Sequence, residues 1–509
     1  MTRGSKIGMI VGICCGIVGI AAGIIFGVAP LIRSTAPSEP ASSTMGTSGG
    51  YVIIATEKAD NDYTQAIAIA KEMHPKADKM VFSPASLEVV KSKLKKLQPR
   101  YALLFMTPDE IDANFVWKWL EMASEIDDDP FVDFCYGFIT GRNAKAAAAF
   151  MERIKDAAEG KLKLAGKMID NLGSNMQAKA SAFYHNRGSY MIPVFSERFS
   201  LETISHGRRG FTKERLSTMY GAGIVHWGGH GYPDRVVDSL NGPFVQKLKL
   251  SPCIAFNGAC YTGVTSTWFS MMEGKLKKQK VDDSKSFCLG ILTNNVIAYL
   301  AALHADHGIP VYQEMEYMAT TGASLGEIIK HTYDGVVLGN GGKLPHFGTL
   351  TEGMILNWSP KDIMLNGTAT RVLFGDPAYV PIKAFSSKPF DIKTSIKDGE
   401  LEIVATLVNP VLKSTYTDTY HSDMSITQQF NDRALLFFGL PNGWDTVKKV
   451  SISDVTVNDK SIKHKLVGYA VERDGKVSML HIQIDLPSSG YMQSPFRKKG
   501  ARIKLRAKR

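Results

Sequence analysis

The sequence predicts a doubly wound, mostly parallel α/β sheet followed by a β-sandwich, with a transmembrane helix at the N-terminus. Three observations carry this. An uncharged run extends from Ile7 to Ile32. Apolar, β-branched segments alternate with amphipathic ones over residues 51–385. After Ile382 short alternating strands follow with no helical stretch between them. Strands separated by helices build parallel βαβ units, whereas strands in succession build sandwiches.

The run from Ile7 to Ile32 has 26 residues, enough to cross a hydrocarbon core of about 30 Å as a helix. It is too long for the apolar core of a cleavable leader. Residues 1–33 therefore read as a retained single-pass anchor. Arg3 and Lys6 precede the run, which puts the N-terminus in the cytoplasm and the rest of the chain outside the cell membrane. Glycines 8, 12, 16 and 19, 23, 27 fall at four-residue spacing, a helix-pairing face that would support a homodimer. Residues 34–50, rich in Ser, Thr, Pro and Gly, read as a flexible linker.

In the body, Tyr51–Ala55, Met80–Phe82, Tyr101–Phe105 and Phe131–Ile139 read as strands. Leu87–Leu97 and the alanine-rich Ala144–Ala158 read as helices. Gly223–His226, Cys253–Phe256 and Phe287–Leu292 read as further strands, Val296–His304 and Leu325–Val336 as helices, and Arg371–Phe374 as a last strand. The expected α/β domain spans 51–385, in two subdomains of about 51–165 and 166–385.

Over 386–509 the pattern changes. Leu401, Ile403, Ala405 and Leu407 alternate with more polar positions, and Val450–Val455, Val477–Leu486 and Ala501–Leu505 look alike. Lys397-Asp-Gly399 and Asp474-Gly475 are turn signals between them. Arg497 to Arg509 is dense in Lys and Arg and reads as a solvated basic tail.

The chain has 509 residues, 44% hydrophobic and 21% charged, with a formal net charge of +11. Its basic residues are spread along the sequence, so no nucleic-acid partner is expected. Beyond Cys14 and Cys15 in the apolar run, only Cys135, Cys253, Cys260 and Cys288 remain, which excludes a disulfide scaffold.

Functional residues of parallel sheets sit beyond the carboxyl ends of strands. Two such ends stand out: Gly223-Ile-Val-His-Trp-Gly-Gly-His-Gly231 and Cys253-Ile-Ala-Phe-Asn-Gly-Ala-Cys260. A thiol is a strong nucleophile as thiolate, and an adjacent imidazole can take its proton. His230 and Cys260 are therefore the candidate catalytic pair.

A strand leading to His-Gly followed by a strand leading to Ala-Cys resembles clan CD cysteine peptidases, the group of caspases, legumains, separases and gingipains, and the gingipain-like family best matches the pattern. Gly141-Arg142 after a strand, Thr321-Gly-Ala-Ser-Leu-Gly-Glu327 and Phe374-Gly-Asp-Pro-Ala378 are similar to further family segments in the same order. The resemblance implies a caspase/gingipain-like sheet followed by an Ig-like sandwich. It implies a cysteine endopeptidase acting on protein or peptide substrates, or a surface transpeptidase, through a thioester acyl-enzyme. Cys260 would be the nucleophile, His230 the base and then acid, and the backbone amides of Gly231 and Cys260 the oxyanion hole. No cofactor is required; the resemblance permits a structural Ca2+. Asp133 and Asp234 are the acids offered for orienting His230 or binding a substrate cation. The helix after Arg142 begins Asn143-Ala-Lys-Ala-Ala-Ala-Ala149, without the acids of the arginine- and lysine-specific gingipains, so basic specificity does not carry over.

Other readings compete. His226 and His230 are four apart like a zinc pair, but Gly228 and Gly229 lie between them in strand-like text, so no metal site is expected and His226 reads as a strand residue. Gly322-Ala-Ser-Leu-Gly326 matches the serine-esterase elbow at Ser324, but no strand precedes it. His304 and His307 read as surface residues on or just past a helix. Lys275–Lys280 and Arg208-Arg209 read as loops whose cleavage could activate a zymogen. A non-catalytic surface protein that binds partners through its sandwich is the remaining alternative.

Overall fold

A computed structural model describes residues 44–45, 50–172, 200–205, 218–236, 240–306, 310–383, 390–408, 431–474, 477–487, 495 and 499–509. The expected anchor at 1–33, Arg208-Arg209, His307 and Gly475 lie outside them. Among the described residues no helix is long and apolar enough to cross a membrane.

Strands β1 (Tyr51–Thr56), β2 (Asp78–Phe82), β3 (Tyr101–Phe105) and β4 (Cys135–Ile139) alternate with α1 (Glu57–Asp62), α2 (Thr64–Met73), α3 (Leu87–Leu97), α4 (Ala113–Ala123) and α5 (Ala144–Ala158). Local chemistry starts these helices. Asp112 accepts from Phe115 N at 2.9 Å to open α4, and Asn143 accepts from Ala146 N at 2.9 Å to open α5. Then follow β5 (Lys167–Leu172), β6 (Ser200–Ser205), β7 (Ile224–Trp227) and β8 (Cys253–Asn257). A hairpin of β9 (Thr267–Met272) and β10 (Lys275–Lys280) precedes α6 (Phe287–Leu292) and β11 (Val296–Ala302). Three helices, α7 (Pro310–Thr321), α8 (Leu325–Gly339) and α9 (Pro360–Ala369), lead to β12 (Arg371–Phe374).

Ten of these strands form one sheet in the order β2-β1-β3-β4-β12-β11-β8-β7-β5-β6. Every neighbouring pair is parallel except β12 with β11. The sheet is thus two parallel halves of opposite direction, joined at that one antiparallel seam. β12 returns after all the other strands to close the gap, pairing Phe374 with Phe138 on one side and Arg371 with Ala302 on the other.

The structure exchanges two expected elements. Phe287–Leu292 is a helix, opened by Ser286 accepting from Leu289 N at 3.2 Å. Val296–Ala302 is a central strand with every residue buried. A strand covered on both faces has no alternation, so its apolar run looks like a buried helix. Lys275–Lys280 is also corrected: it is a hairpin strand with Leu276 buried, not a loop.

The second unit contains β13 (Phe390–Lys397), β14 (Glu400–Leu407), β15 (Asn431–Gly439), β16 (Ser451–Val457), β17 (Val467–Asp474), β18 (Val477–Pro487) and β19 (Arg502–Lys508). One sheet orders as β13-β14-β19-β16 with the short Lys460–Ser461 strand, and the other as β15-β18-β17. Asp398 and Gly399 both have positive φ (52° and 77°), the two-residue turn that suits a tight hairpin. Leu401, Ile403, Ala405 and Leu407 point inward and meet Ile503, Leu505 and Ala507 in one core. The basic cluster over 502–508 is therefore no tail. It is the outer face of β19, an inner strand of its sheet.

The two units dock through α8 and the 126–133 loop. Lys330, half-buried, reaches Asp334 at 3.1 Å and Glu472 at 2.8 Å, and Phe131 stacks on His481 at 4.4 Å between centroids.

Gly137 in β4 is where backbone meets backbone: a Cβ there would lie 2.3 Å from Gly375 O. Gly137→Ala is expected to lower stability by about 1–3 kcal/mol through overpacking, read as a lower urea midpoint. Gly274→Ala, at a hairpin turn with open space but positive φ, should cost only about 1 kcal/mol.

Candidate active site

β7 and β8 run parallel in register, Val225 beside Ala255 and Trp227 beside Asn257. Both leave the sheet at the same edge. Gly258 N still donates to Trp227 O at 2.8 Å, carrying the pairing one residue further. The chain beyond β7 then turns through Gly229, whose φ of 120° suits glycine, into His230 and Gly231.

Gly231 rests directly on the Cys260 segment. A Cβ at Gly231 would fall 2.3 Å from Cys260 O, 2.8 Å from Ala259 Cβ and 2.9 Å from Cys260 N. Only a glycine tolerates that approach. The structure thus brings the two predicted strand ends together, with His230 the residue before this contact and Cys260 the residue within it.

The turn that presents Cys260 is held by its own side chains. Asn257 accepts from Ala259 N at 2.8 Å and donates to Tyr299 OH at 3.0 Å. Tyr299 OH donates to Thr262 O at 3.0 Å, and Thr262 donates to Ala259 O at 2.9 Å. Tyr261 has a φ of 60°, a left-handed conformation that costs a side-chain-bearing residue on the order of 1 kcal/mol. It persists because Tyr261 N donates to His304 O at 3.0 Å and Gly263 N to Ala302 O at 2.8 Å, sewing the turn to the end of β11.

Cys260 is buried, 7% exposed, and its thiol sits between the backbone groups of Asp306. Sγ donates to Asp306 O at 3.0 Å and accepts from Asp306 N at 3.3 Å. The Asp306 carboxylate in turn pairs with the Arg371 guanidinium, which also binds Glu314 and donates to Asn257 O at 2.9 Å. The other described cysteines differ. Burial pushes Cys253 up to about 12 and raises Cys135 and Cys288 well above the ordinary thiol range, so they are apolar packing groups.

The sequence predicts His304 at the surface, on or just past a helix. It is buried at the end of β11, beside Asn366 at 3.0 Å and against the rings of Tyr261, Trp117 and Trp358. Burial lowers its pKa to about 4, so it is neutral at ordinary pH. Sequence reasoning missed it with its strand. The available signal was a third apolar run, Val296 to His304, after those ending at His226 and Asn257, and ending in histidine as the first does.

The two offered acids differ in place. Asp133 precedes β4, four strand positions from β7, roughly 19 Å at about 4.8 Å per strand. It accepts from Ile126 N at 3.1 Å and lies in the loop with Asp127 and Asp129, not beside His230. Asp234 follows Gly231 closely but forms a half-exposed pair with Arg235 at 3.0 Å. Ser324 caps α8, with Glu327 N donating to its Oγ at 3.3 Å and Glu327 Oε2 accepting from Ser324 N at 2.8 Å. α7 precedes it where the esterase elbow needs a strand, which removes that alternative. His226 is a buried residue within β7, as expected. Among the described residues no three of His, Cys, Asp and Glu are grouped so as to hold a metal ion.

No family model and no curated protein matches the sequence. Among solved structures the chain is similar to the complex of Porphyromonas gingivalis RgpB pro- and mature domains, at 10% identity and a TM-score of 0.45, over 86% of this chain and 94% of that one. It is similar to the Arg-specific cysteine proteinase gingipain R (RgpB), at 13% identity and a TM-score of 0.43, over 89% and 94%. A Saccharomyces cerevisiae separase–securin complex matches at 10% identity and a TM-score of 0.32, over 54% of this chain and 15% of that one.

Burial, reinforced by Asp127 and Asp129, raises Asp133 to about 8. A carboxyl that holds its proton more tightly folded than unfolded, where its pKa is 3.8, takes up protons on folding. Stability is then full below about pH 4 and falls as pH rises through about 8. In Asp133→Asn the urea midpoint, compared with wild type, should gain between pH 5 and pH 8.

Proposed function

We propose that the chain is a cysteine endopeptidase, anchored to the cell membrane by residues 1–33, with its catalytic unit outside and Cys260 and His230 as its dyad. One observation carries the reading: the Gly231 backbone lies against the Cys260 backbone at the shared edge of two parallel strands. The order of strand-His-Gly and strand-Ala-Cys supports it further.

The chemistry follows from that placement. His230 takes the Cys260 proton as Sγ attacks the carbonyl carbon of the scissile peptide. The negative charge on the carbonyl oxygen falls to the amides of Gly231 and Cys260, whose backbones are within contact of each other; such a donor contributes about 3–4 kcal/mol of transition-state stabilisation. The tetrahedral adduct collapses to a thioester when His230 returns the proton to the leaving amine. Water, deprotonated by His230, then attacks the thioester and restores the thiol.

A fluorogenic peptide library varied at the residue before the cut tests the proposal. Hydrolysis should fall by about 10³-fold or more in Cys260→Ala, in His230→Ala and in the double variant alike, because a nucleophile and its base act as a unit. Hydrolysis that survives Cys260→Ala overturns it; a folded wild type that cleaves nothing favours a binding protein. Ser324→Ala should leave hydrolysis unchanged and lower stability by about 1 kcal/mol, the loss of a helix cap. Removing residues 1–33 should release the protein from the membrane fraction in differential centrifugation.

A further inference from the structure

Arg371 has no exposed surface, and neither have the two carboxylates it binds. Its three donor nitrogens are all engaged. Nε and Nη2 form a fork on Glu314 of α7, at 2.5 and 2.7 Å. Nη1 binds the Asp306 carboxylate and also donates to Asn257 O at 2.9 Å. Asn257 is the last residue of β8, three before Cys260. Asp306 is the residue whose N–H and C=O bracket the Cys260 thiol.

One nitrogen therefore ties together both sides of the nucleophile: the strand that delivers it and the backbone that holds its sulfur. The guanidinium is itself fixed. Tyr333 OH donates to Arg371 O at 2.6 Å, Thr332 meets Glu314 at 3.4 Å, and β12 is paired on both edges. A stabilising ion pair alone needs no such bridge, and replacing buried ion pairs by apolar groups is often neutral for stability. A shared donor spanning Asn257 O and Asp306 instead sets the distance between them, and with it where Sγ sits relative to the end of β7.

We propose that Arg371 is a positioning residue for Cys260, acting through Asp306 and Asn257, with Glu314 holding the guanidinium in register. The inference rests on the thiol-peptidase reading for its consequence in hydrolysis, though not for its consequence at the sulfur. It touches no substrate: it fixes the thiol in the place where His230 can take its proton. A displacement of about 1 Å in such a geometry can cost about 10²-fold in rate. Lysine keeps the charge but cannot bind three partners as a planar fork does.

The full chain is assayed as wild type, Arg371→Lys, Arg371→Met, Glu314→Gln and Asp306→Asn. Folding is checked by thermal melting and circular dichroism. Alkylation of Cys260 by iodoacetamide is followed across pH by peptide mass spectrometry, which needs no peptidase activity. In the folded variants the pH midpoint and limiting rate of Cys260 alkylation should shift, and kcat should fall by about 10²-fold with KM within about twofold. Arg371→Lys should retain more activity than Arg371→Met. Folded variants with unchanged alkylation profiles and kcat overturn the proposal, as does a set in which none folds, since Arg371 is then a stability element. Failure of the peptidase reading is separate: it appears as hydrolysis that persists in Cys260→Ala, whatever the alkylation profiles show.

Discussion

A permanent positive charge sits at the seam of the ten-stranded sheet, and the architecture around it depends on how that charge is neutralised. Arg371 cannot shed its proton; Glu314 and Asp306 raise its affinity for it still further. A guanidinium taken out of water costs several kcal/mol unless partners replace every lost hydrogen bond. Here the replacements come from β8, from the segment after β11 and from α7. None of these can be absent if the seam is to close. The two halves of the sheet are thus joined by a polar requirement as well as by strand pairing.

Much of the fold was legible because its signals are local. The Ala144–Ala158 helix was found to the residue, since alanine propensity and the Asn143 cap agree. The alternation at Leu401, Ile403, Ala405 and Leu407 was read correctly because that strand has one wet face. The exchange of Phe287–Leu292 with Val296–Ala302 has the opposite cause. Both are buried on all sides, so neither carries a period, and only Ser286 as a helix cap distinguished them. At the C-terminus the strand-like text of Ala501–Leu505 is borne out and runs on to Lys508, with Ile503, Leu505 and Ala507 keeping the period of two, whereas the charge density suggested a solvated tail over the same residues.

The site divides in the same way. His230, Gly231 and Cys260 were legible because each follows a strand directly in sequence, and a strand end is a local feature. Asp306, Glu314 and Arg371 were not: Asp306 alone touches the thiol, Arg371 binds Asp306 and Asn257, Glu314 binds Arg371, and the three come from separate elements that meet only when the sheet is complete. Asp133 shows the converse error. Nearness to a family-like segment suggested a place at the dyad, but three intervening strands separate β4 from β7.

The position of β19 has a kinetic consequence. Its inward partners β14 and β16 are made well before it, β14 about 100 residues earlier, and a contact of such long sequence separation forms late. Until β19 arrives, β14 is paired only with β13, and β16 only with the short Lys460–Ser461 strand. Each of them then presents an open edge able to recruit a neighbouring chain. The interval between synthesis of β14 and of β19 is thus the stage at which this chain is most exposed to aggregation, and a chaperone that covers sheet edges would act there.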